Sequence, residues 1–126
     1  MKQLSNRMIR YNNEFAKELS EIIRTDLSDP RVGKIVSVLR TDTSVDLKYC
    51  KVYVSILGNK EEQEETMAIL KKASGFIRKR LAERANPRYT PELKFVFDDT
   101  MEYGFRIEKL IDEIKQDLDG DKNGNE

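Results

Sequence analysis

The chain has 126 residues, 37% charged and 38% hydrophobic, with 23 basic and 23 acidic side chains and no net charge. That length suits one domain that buries a core without disulfides or metals, and no histidine with a single cysteine excludes the usual zinc and iron sites, Ser-His and Cys-His nucleophile pairs and any disulfide framework. The lone thiol fits a reducing cytosol, the start MKQLSNRMIRYNNEF lacks the apolar core of a signal peptide, and no stretch nears the roughly 20 apolar residues of a membrane span, so a soluble cytoplasmic protein is expected.

Residues 6–26 carry Tyr11, Phe15, Leu19, Ile22 and Ile23 on one helical stripe, with Ser5 placed to cap the helix start. The helix ends before Asp29-Pro30, because the residue ahead of a proline avoids helical backbone. Two β-branched runs follow, KIVSVLRT (34–41) and YCKVYVSIL (49–57). In the second, Cys50, Val52, Val54 and Ile56 alternate with Tyr49, Lys51, Tyr53 and Ser55, which predicts a strand with one buried and one outward face. DTSVDLK between the runs supplies turn residues, so the strands are read as an antiparallel hairpin with a longish loop. Gly58-Asn59 then opens a long helix. Asn59 and Glu62 have capping-box spacing, and Glu61, Glu62, Glu64 and Glu65 stand where the helix dipole favours negative charge. This helix carries past Gly75 to about Ala85 and stops at Asn86-Pro87. PELKFVFDD (91–99) reads as a third strand with Leu93, Phe95 and Phe97 on one face. Asp99 or Thr100 caps a last helix whose stripe is Ile107, Leu110, Ile111 and Ile114. After Leu118, DGDKNGNE holds no apolar residue, so residues 1–118 are expected to form a single domain and 119–126 a disordered acidic tail. The order α-β-β-α-α-β-α predicts an α+β fold with helices on one face of the sheet.

The long helix contains LKKASGFIRKRL (70–81), where Gly75 costs about 1 kcal/mol relative to alanine. At about 100° per residue from Phe76, Thr66, Ile69, Leu70 and Ala73 centre near 70°, and Ile77, Leu81 and Ala85 near 140°. The apolar face therefore shifts by roughly 70° across the glycine. A straight helix pushes Arg80 and Arg84 into the arc of Ile69, Ala73 and Ile77. A bend at Ala73-Ser74-Gly75 lets each half bury its own stripe and frees both arginines. The other reading of Gly75 is close packing of helix on sheet.

The neutral total hides a segregation of charge. Residues 70–94 hold eight basic and two acidic side chains, residues 1–40 eight and five, and residues 98–126 four and ten. A basic helix pair suits a polyanion partner: lysine and arginine contact phosphates, and free N–H groups at a helix break add to them. Ser74, Gly75 and Phe76 with Arg78 and Lys79 form such a platform. The competing reading is a solvated helix face. Tyr49, Lys51 and Tyr53 on the outward strand face suit base stacking or ordinary cross-strand pairing, of which the second is favoured. Enzyme readings fare worse. There is no phosphate-loop motif, no G-x-G-x-x-G and no histidine base, Asp98, Asp99 and Glu102 are explained by helix capping, and Cys50 on the inward face reads as a core thiol.

RYNNEFAKEL (10–19), DPRV (29–32), DLKYCKVYVSILG (46–58), ASGFIRKRL (73–81), RYTPELKFVFDDT (88–100) and EYGFRI (102–107) together resemble the ribosome-binding factor A family of bacterial small-subunit assembly factors, in order, over about residues 5 to 115. The resemblance implies a type II KH-like fold, a three-stranded sheet with helices on one face, and an A-x-G kink, here Ala73-Ser74-Gly75, in place of the G-x-x-G loop of an ordinary KH domain. No G-x-x-G occurs in the chain, so the KH clamp on four nucleotides is not carried over. Cys50 stands where alanine is common in the family. The resemblance also implies binding to the free, immature small (30S) ribosomal subunit and its 16S rRNA, with roles in 5′-end processing, late maturation and growth in the cold. It implies no enzyme activity and no cofactor, and a monomer is expected. With the charge map, it points to Arg7, Arg10 and Lys17 on the first helix, to Lys71, Lys72, Arg78, Lys79, Arg80 and Arg84 around the kink, and to Arg31 and Arg88 as rRNA phosphate ligands. The alternatives are a protein-interaction module docking on ribosomal proteins and a generic single-stranded RNA-binding KH-like domain.

Overall fold

The protein is described by a computed structural model covering residues 5–85, 87 and 89–124. The elements run α1 (Asn6–Thr25), α2 (Pro30–Ile35), β1 (Val36–Thr43), β2 (Tyr49–Ile56), α3 (Lys60–Lys72), α4 (Ser74–Ala85), β3 (Glu92–Phe97) and α5 (Thr100–Gly124). The sheet has three strands in the order β1-β2-β3. β1 and β2 are antiparallel, with Thr41 opposite Val52 and Thr43 opposite Cys50. β3 joins β2 in parallel, with Leu93 beside Cys50 and Phe95 beside Val52. The expected α-β-β-α-α-β order and KH-like arrangement are present, with one added helix, α2.

That helix corrects the reading of DPRV and KIVSVLRT. α1 ends before Asp29-Pro30 as expected, at Thr25, but Asp29-Pro30 also begins α2: the Asp29 carboxylate accepts the Arg31 N–H, and Pro30 sits in the first turn, where a missing N–H costs nothing. Lys34 and Ile35 therefore lie in the helix, and the strand starts at Val36. α2 lies close against the end of α1. A Cβ on Gly33 would stand 2.7 Å from the Arg24 carbonyl oxygen, so only glycine allows this approach.

Inward residues of the sheet and of the helices share one core. Phe15, Leu19, Ile22 and Ile23 of α1 pack with Cys50, Val52, Val54 and Ile56 of β2, with Leu70 of α3 and with Ile77 and Leu81 of α4. The outward β2 residues Tyr49, Lys51, Tyr53 and Ser55 stay exposed or half-buried, as the alternation requires. Buried Cys50 has its thiol pKa pushed up by desolvation, which suits a core residue. Of the buried polar residues, Asn12 links two elements: its Oδ1 accepts the Thr43 N–H at 2.9 Å, and its backbone carbonyl accepts the Thr41 hydroxyl at 2.7 Å. These bonds tie the middle of α1 to the end of β1.

The caps follow the local chemistry. Ser5 accepts the Met8 N–H, and Asn59 and Glu62 form both halves of a capping box. The turn between β1 and β2 is shorter than DTSVDLK implies, because the strand continues through Thr43. It closes on Leu47, which has a positive φ of 62° and a buried side chain. The last helix continues to Gly124, past the boundary at Leu118 that the loss of apolar residues marks. Helical hydrogen bonds need no apolar side chain. From Gly104 to Leu118 every α5 side chain is exposed.

Candidate nucleic-acid interface

The long helix breaks at Ala73. Its φ of −84° and ψ of 0° end α3, and its carbonyl accepts the Ile77 N–H at 2.9 Å as α4 begins. Thr66 and Leu70 are buried before the break and Ile77 and Leu81 after it, which matches the shift of the apolar stripe. Gly75 has a different role from either expected one. It lies inside the first turn of α4, and a Cβ there would meet nothing within 4 Å. Neither the bend nor close packing requires it. It faces an open hollow.

That hollow, of about 930 Å³, lies between α4 and the start of β3. Gly75, Arg78 and Lys79 line it from α4, Lys48 and Tyr49 from the start of β2, and Tyr89 and Glu92 from the approach to β3. The Arg78 guanidinium donates to the Thr90 carbonyl from Nε at 3.3 Å and Nη2 at 2.9 Å, holding the α4–β3 connection against α4. Asp46 on the far rim accepts the Ser44 hydroxyl at 2.6 Å and the Lys48 N–H at 3.1 Å; these bonds, the hydroxyl first, lower its pKa and keep it ionised. A second, smaller hollow of about 300 Å³ is lined by Lys71, Ser74, Leu93, Lys94 and Phe95. The Lys94 ammonium, 5.3 Å from the centre of the Tyr49 ring, joins the two. Lys71 and Lys79 have no hydrogen-bond or ion-pair partner among the described residues, and exposed Lys72 ends α3.

The other predicted basic residues lie elsewhere. Arg10 and Lys17 line a shallow hollow on α1 with Asn6, Asn13 and Glu14. Arg7 stacks on Tyr11, its guanidinium carbon 5.5 Å from the ring centre. Arg31 pairs with Asp29 at 3.0 Å at the start of α2. Arg88 lies outside the described residues.

Arg80 and Arg84 are not freed by the bend. Arg80 donates to Asp26 at 3.0 Å and to Glu83 at 2.7 Å, and Arg84 donates to Glu18 at 2.8 Å. Both are about two-thirds covered between α1 and α4. The physical reason is geometric: turning α4 to bury Ile77 and Leu81 also turns its arginine edge toward the acidic edge of α1. The Thr25 hydroxyl and then Arg80 lower the Asp26 pKa, so this carboxylate stays charged at the junction.

Lys48 and Lys94 join the interface without having been selected from the sequence. The alternation of β3 was the available signal for Lys94, which stands outward between inward Leu93 and Phe95. Of the outward tyrosines, Tyr53 is covered by the Arg40 guanidinium, 4.1 Å from its ring centre and opposite it in the β1–β2 register, which is the cross-strand reading. Tyr49 remains exposed on the rim of the hollow.

A sequence model described as Ribosome-binding factor A matches residues 7–111. The chain belongs to the ribosome-binding factor A family. Among the relatives, Ribosome-binding factor A of Lachnospira eligens is 44% identical over 116 residues, 92% of this chain and 89% of the relative. That of Clostridium tetani is 47% identical over 112 residues, 89% and 93% of the two chains. Solved members share the fold. The solution structure of a putative ribosome binding factor A from Thermotoga maritima aligns with a TM-score of 0.64 at 36% identity, covering 76% of this chain and 91% of that one. A Thermus thermophilus ribosome-binding factor A, fitted as a homology model into a cryo-EM map of its 30S complex, aligns with a TM-score of 0.56 at 26% identity, over 69% and 90% of the two chains. Among the described residues, no helix is long and apolar enough to cross a membrane, and no cluster of acidic or cysteine side chains is placed to hold a metal.

Proposed function

We propose that this protein binds the free, immature 30S subunit through its 16S rRNA, and acts by occupancy rather than by catalysis. Its binding would support 5′-end processing and late maturation, including at low temperature. The domain of residues 1–118 would do this as a monomer, with residues 119–126 as an acidic tail outside it. The observation that carries the reading is the paired hollow at the helix break: Lys71, Arg78, Lys79, Lys48 and Lys94 surround an open surface that Gly75 lines. Lysine and arginine there can neutralise backbone phosphates, and exposed Tyr49 offers a ring to an unpaired base. Holding one RNA segment in place stabilises an assembly intermediate and excludes later partners. Arg10 and Lys17 offer a second basic contact on α1. Arg80 and Arg84 contribute mainly by bracing α4 on α1.

Co-sedimentation with separated small subunits and with whole ribosomes, at two salt concentrations, tests this. The expected result is preference for the free subunit, with log affinity falling by about 0.7 per phosphate contact for each unit of log salt. Lys71→Gln with Lys79→Gln should reduce that slope by about 1.4. Unchanged binding and slope in the double variant would refute the assignment. Binding to subunits but not to protein-free 16S rRNA would favour docking on ribosomal proteins, and equal binding to any single-stranded RNA a generic KH-like role.

A further inference from the structure

Helix α5 leaves a long face open. Its side chains from Gly104 to Leu118 are all exposed, including Ile107, Leu110, Ile111, Ile114 and Leu118. At about 100° per residue these five fall within roughly 100° of arc, the width of a helix face that normally lies against another element. Ile107, Ile111, Ile114 and Leu118 follow one another at spacings of four, three and four, which is the seam of a two-helix coiled coil.

We propose that α5 pairs antiparallel with α5 of a second copy of this chain. The charges beside the seam select this occupant and this direction. Antiparallel pairing sets Ile107 against Leu118 of the second copy and Ile111 against its Ile114. On one flank Glu108 then meets Lys115 of the other copy, and the two-fold axis repeats the pair. On the other flank Leu110 widens the apolar contact beside Asp117. A parallel pair loses both ion pairs, because Lys115 then faces Leu110. Antiparallel pairing also places the two folded bodies at opposite ends of the seam, which runs about 16 Å at 1.5 Å per residue, so the bodies do not compete for space. Five apolar side chains from each copy fall far short of the roughly 20–30 residues a side of a stable interface. The pairing is therefore weak and belongs to the free protein at high concentration, whereas the form acting on the subunit is the monomer. This inference is independent of RNA binding, since α5 contributes none of the lysines assigned to it.

Sedimentation equilibrium of the full chain, from about 10 μM to about 1 mM, tests it. The expected result is an average mass rising toward twofold with concentration. Glu108→Lys alone and Lys115→Glu alone should each abolish the rise, because each puts like charges on both flanking pairs. The double swap should restore it, and so should an equal mixture of the two single variants, in which every flanking pair is again opposite in sign. These side chains are exposed, so the core is untouched, and far-ultraviolet circular dichroism checks that the helix content is retained. A chain that stays monomeric throughout overturns the proposal and leaves the stripe to another occupant, its own body or a subunit component. A dimer indifferent to both charge reversals overturns it equally.

Discussion

Replacing Gly33 and Gly75 separately by alanine should change stability in opposite directions. At Gly33 the new Cβ would lie 2.7 Å from the Arg24 carbonyl oxygen, 3.0 Å from the Arg24 Cα and 3.1 Å from the Ile23 carbonyl oxygen. Ordinary contact begins near 3.5 Å, so α2 must retreat by about 0.8 Å. All three obstacles are backbone, and none can rotate away. The retreat also loosens Val32, which is buried against the core. Overpacking of this kind costs about 1–3 kcal/mol, and alanine recovers about 0.5–1 kcal/mol of helix propensity. The two offset to a net loss of up to about 2.5 kcal/mol, centred on about 1 kcal/mol. At Gly75 nothing lies within 4 Å, so only the propensity remains, a gain of about 0.5–1 kcal/mol. Urea unfolding at constant m reads both, and about 4 °C of Tm per kcal/mol should accompany them. A Gly33→Ala protein as stable as the parent would refute the close approach of α2 to α1. A destabilised Gly75→Ala protein would refute the open face of α4.

Asn12→Ala should cost about 2 kcal/mol, because it strands the buried Thr43 N–H, and hydrogen exchange at that amide should accelerate. A double-mutant cycle on Glu18 and Arg84 should give a coupling of about 0.5–1 kcal/mol, since the pair is partly exposed; zero coupling would make Arg84 an ordinary surface charge. Asp98 has its pKa lowered from 3.8 to about 2 by bonds from the Thr100 hydroxyl and N–H and then from Arg40. Its folded value lies below the unfolded one, so its contribution to stability is complete above about pH 4 and is lost as pH falls toward 2. Asp98→Asn should flatten that part of the stability–pH curve measured by urea unfolding.

Much of the fold was legible because local chemistry and tertiary packing agree. The stripe of α1, the caps at Ser5 and Asn59, the alternation of β2 and the phase shift across Ala73 each follow from periodicity or from one hydrogen bond. α2 was missed because proline signals both the end of one helix and the first turn of another, and only the Asp29 side chain decides between them. At the candidate interface, charge identified the basic residues but not which of them stay open. Arg80 meets Asp26 54 positions away and Arg84 meets Glu18 66 positions away, and no local pattern announces such partners. Lys79, with the same charge on the same helix, points into the hollow. The openness at Gly75 was invisible for a related reason, because the absence of neighbours is a property of the folded surface.

Arg78 gives the candidate interface a mechanical property. Its guanidinium carries five N–H donors in a fixed plane, and two groups, Nε and Nη2, already grip the Thr90 carbonyl. The remaining edge can meet an anion without releasing that grip. Arg78 is thus a bracket as well as a charge: an anion held by it is held at a set distance from the strap of chain leading into β3. A lysine at position 78 would keep the charge and lose the bracket, because a point-like ammonium cannot clasp a carbonyl along one edge and present a flat fork along the other. The spacing of the hollow, and not only its potential, is built into the choice of arginine.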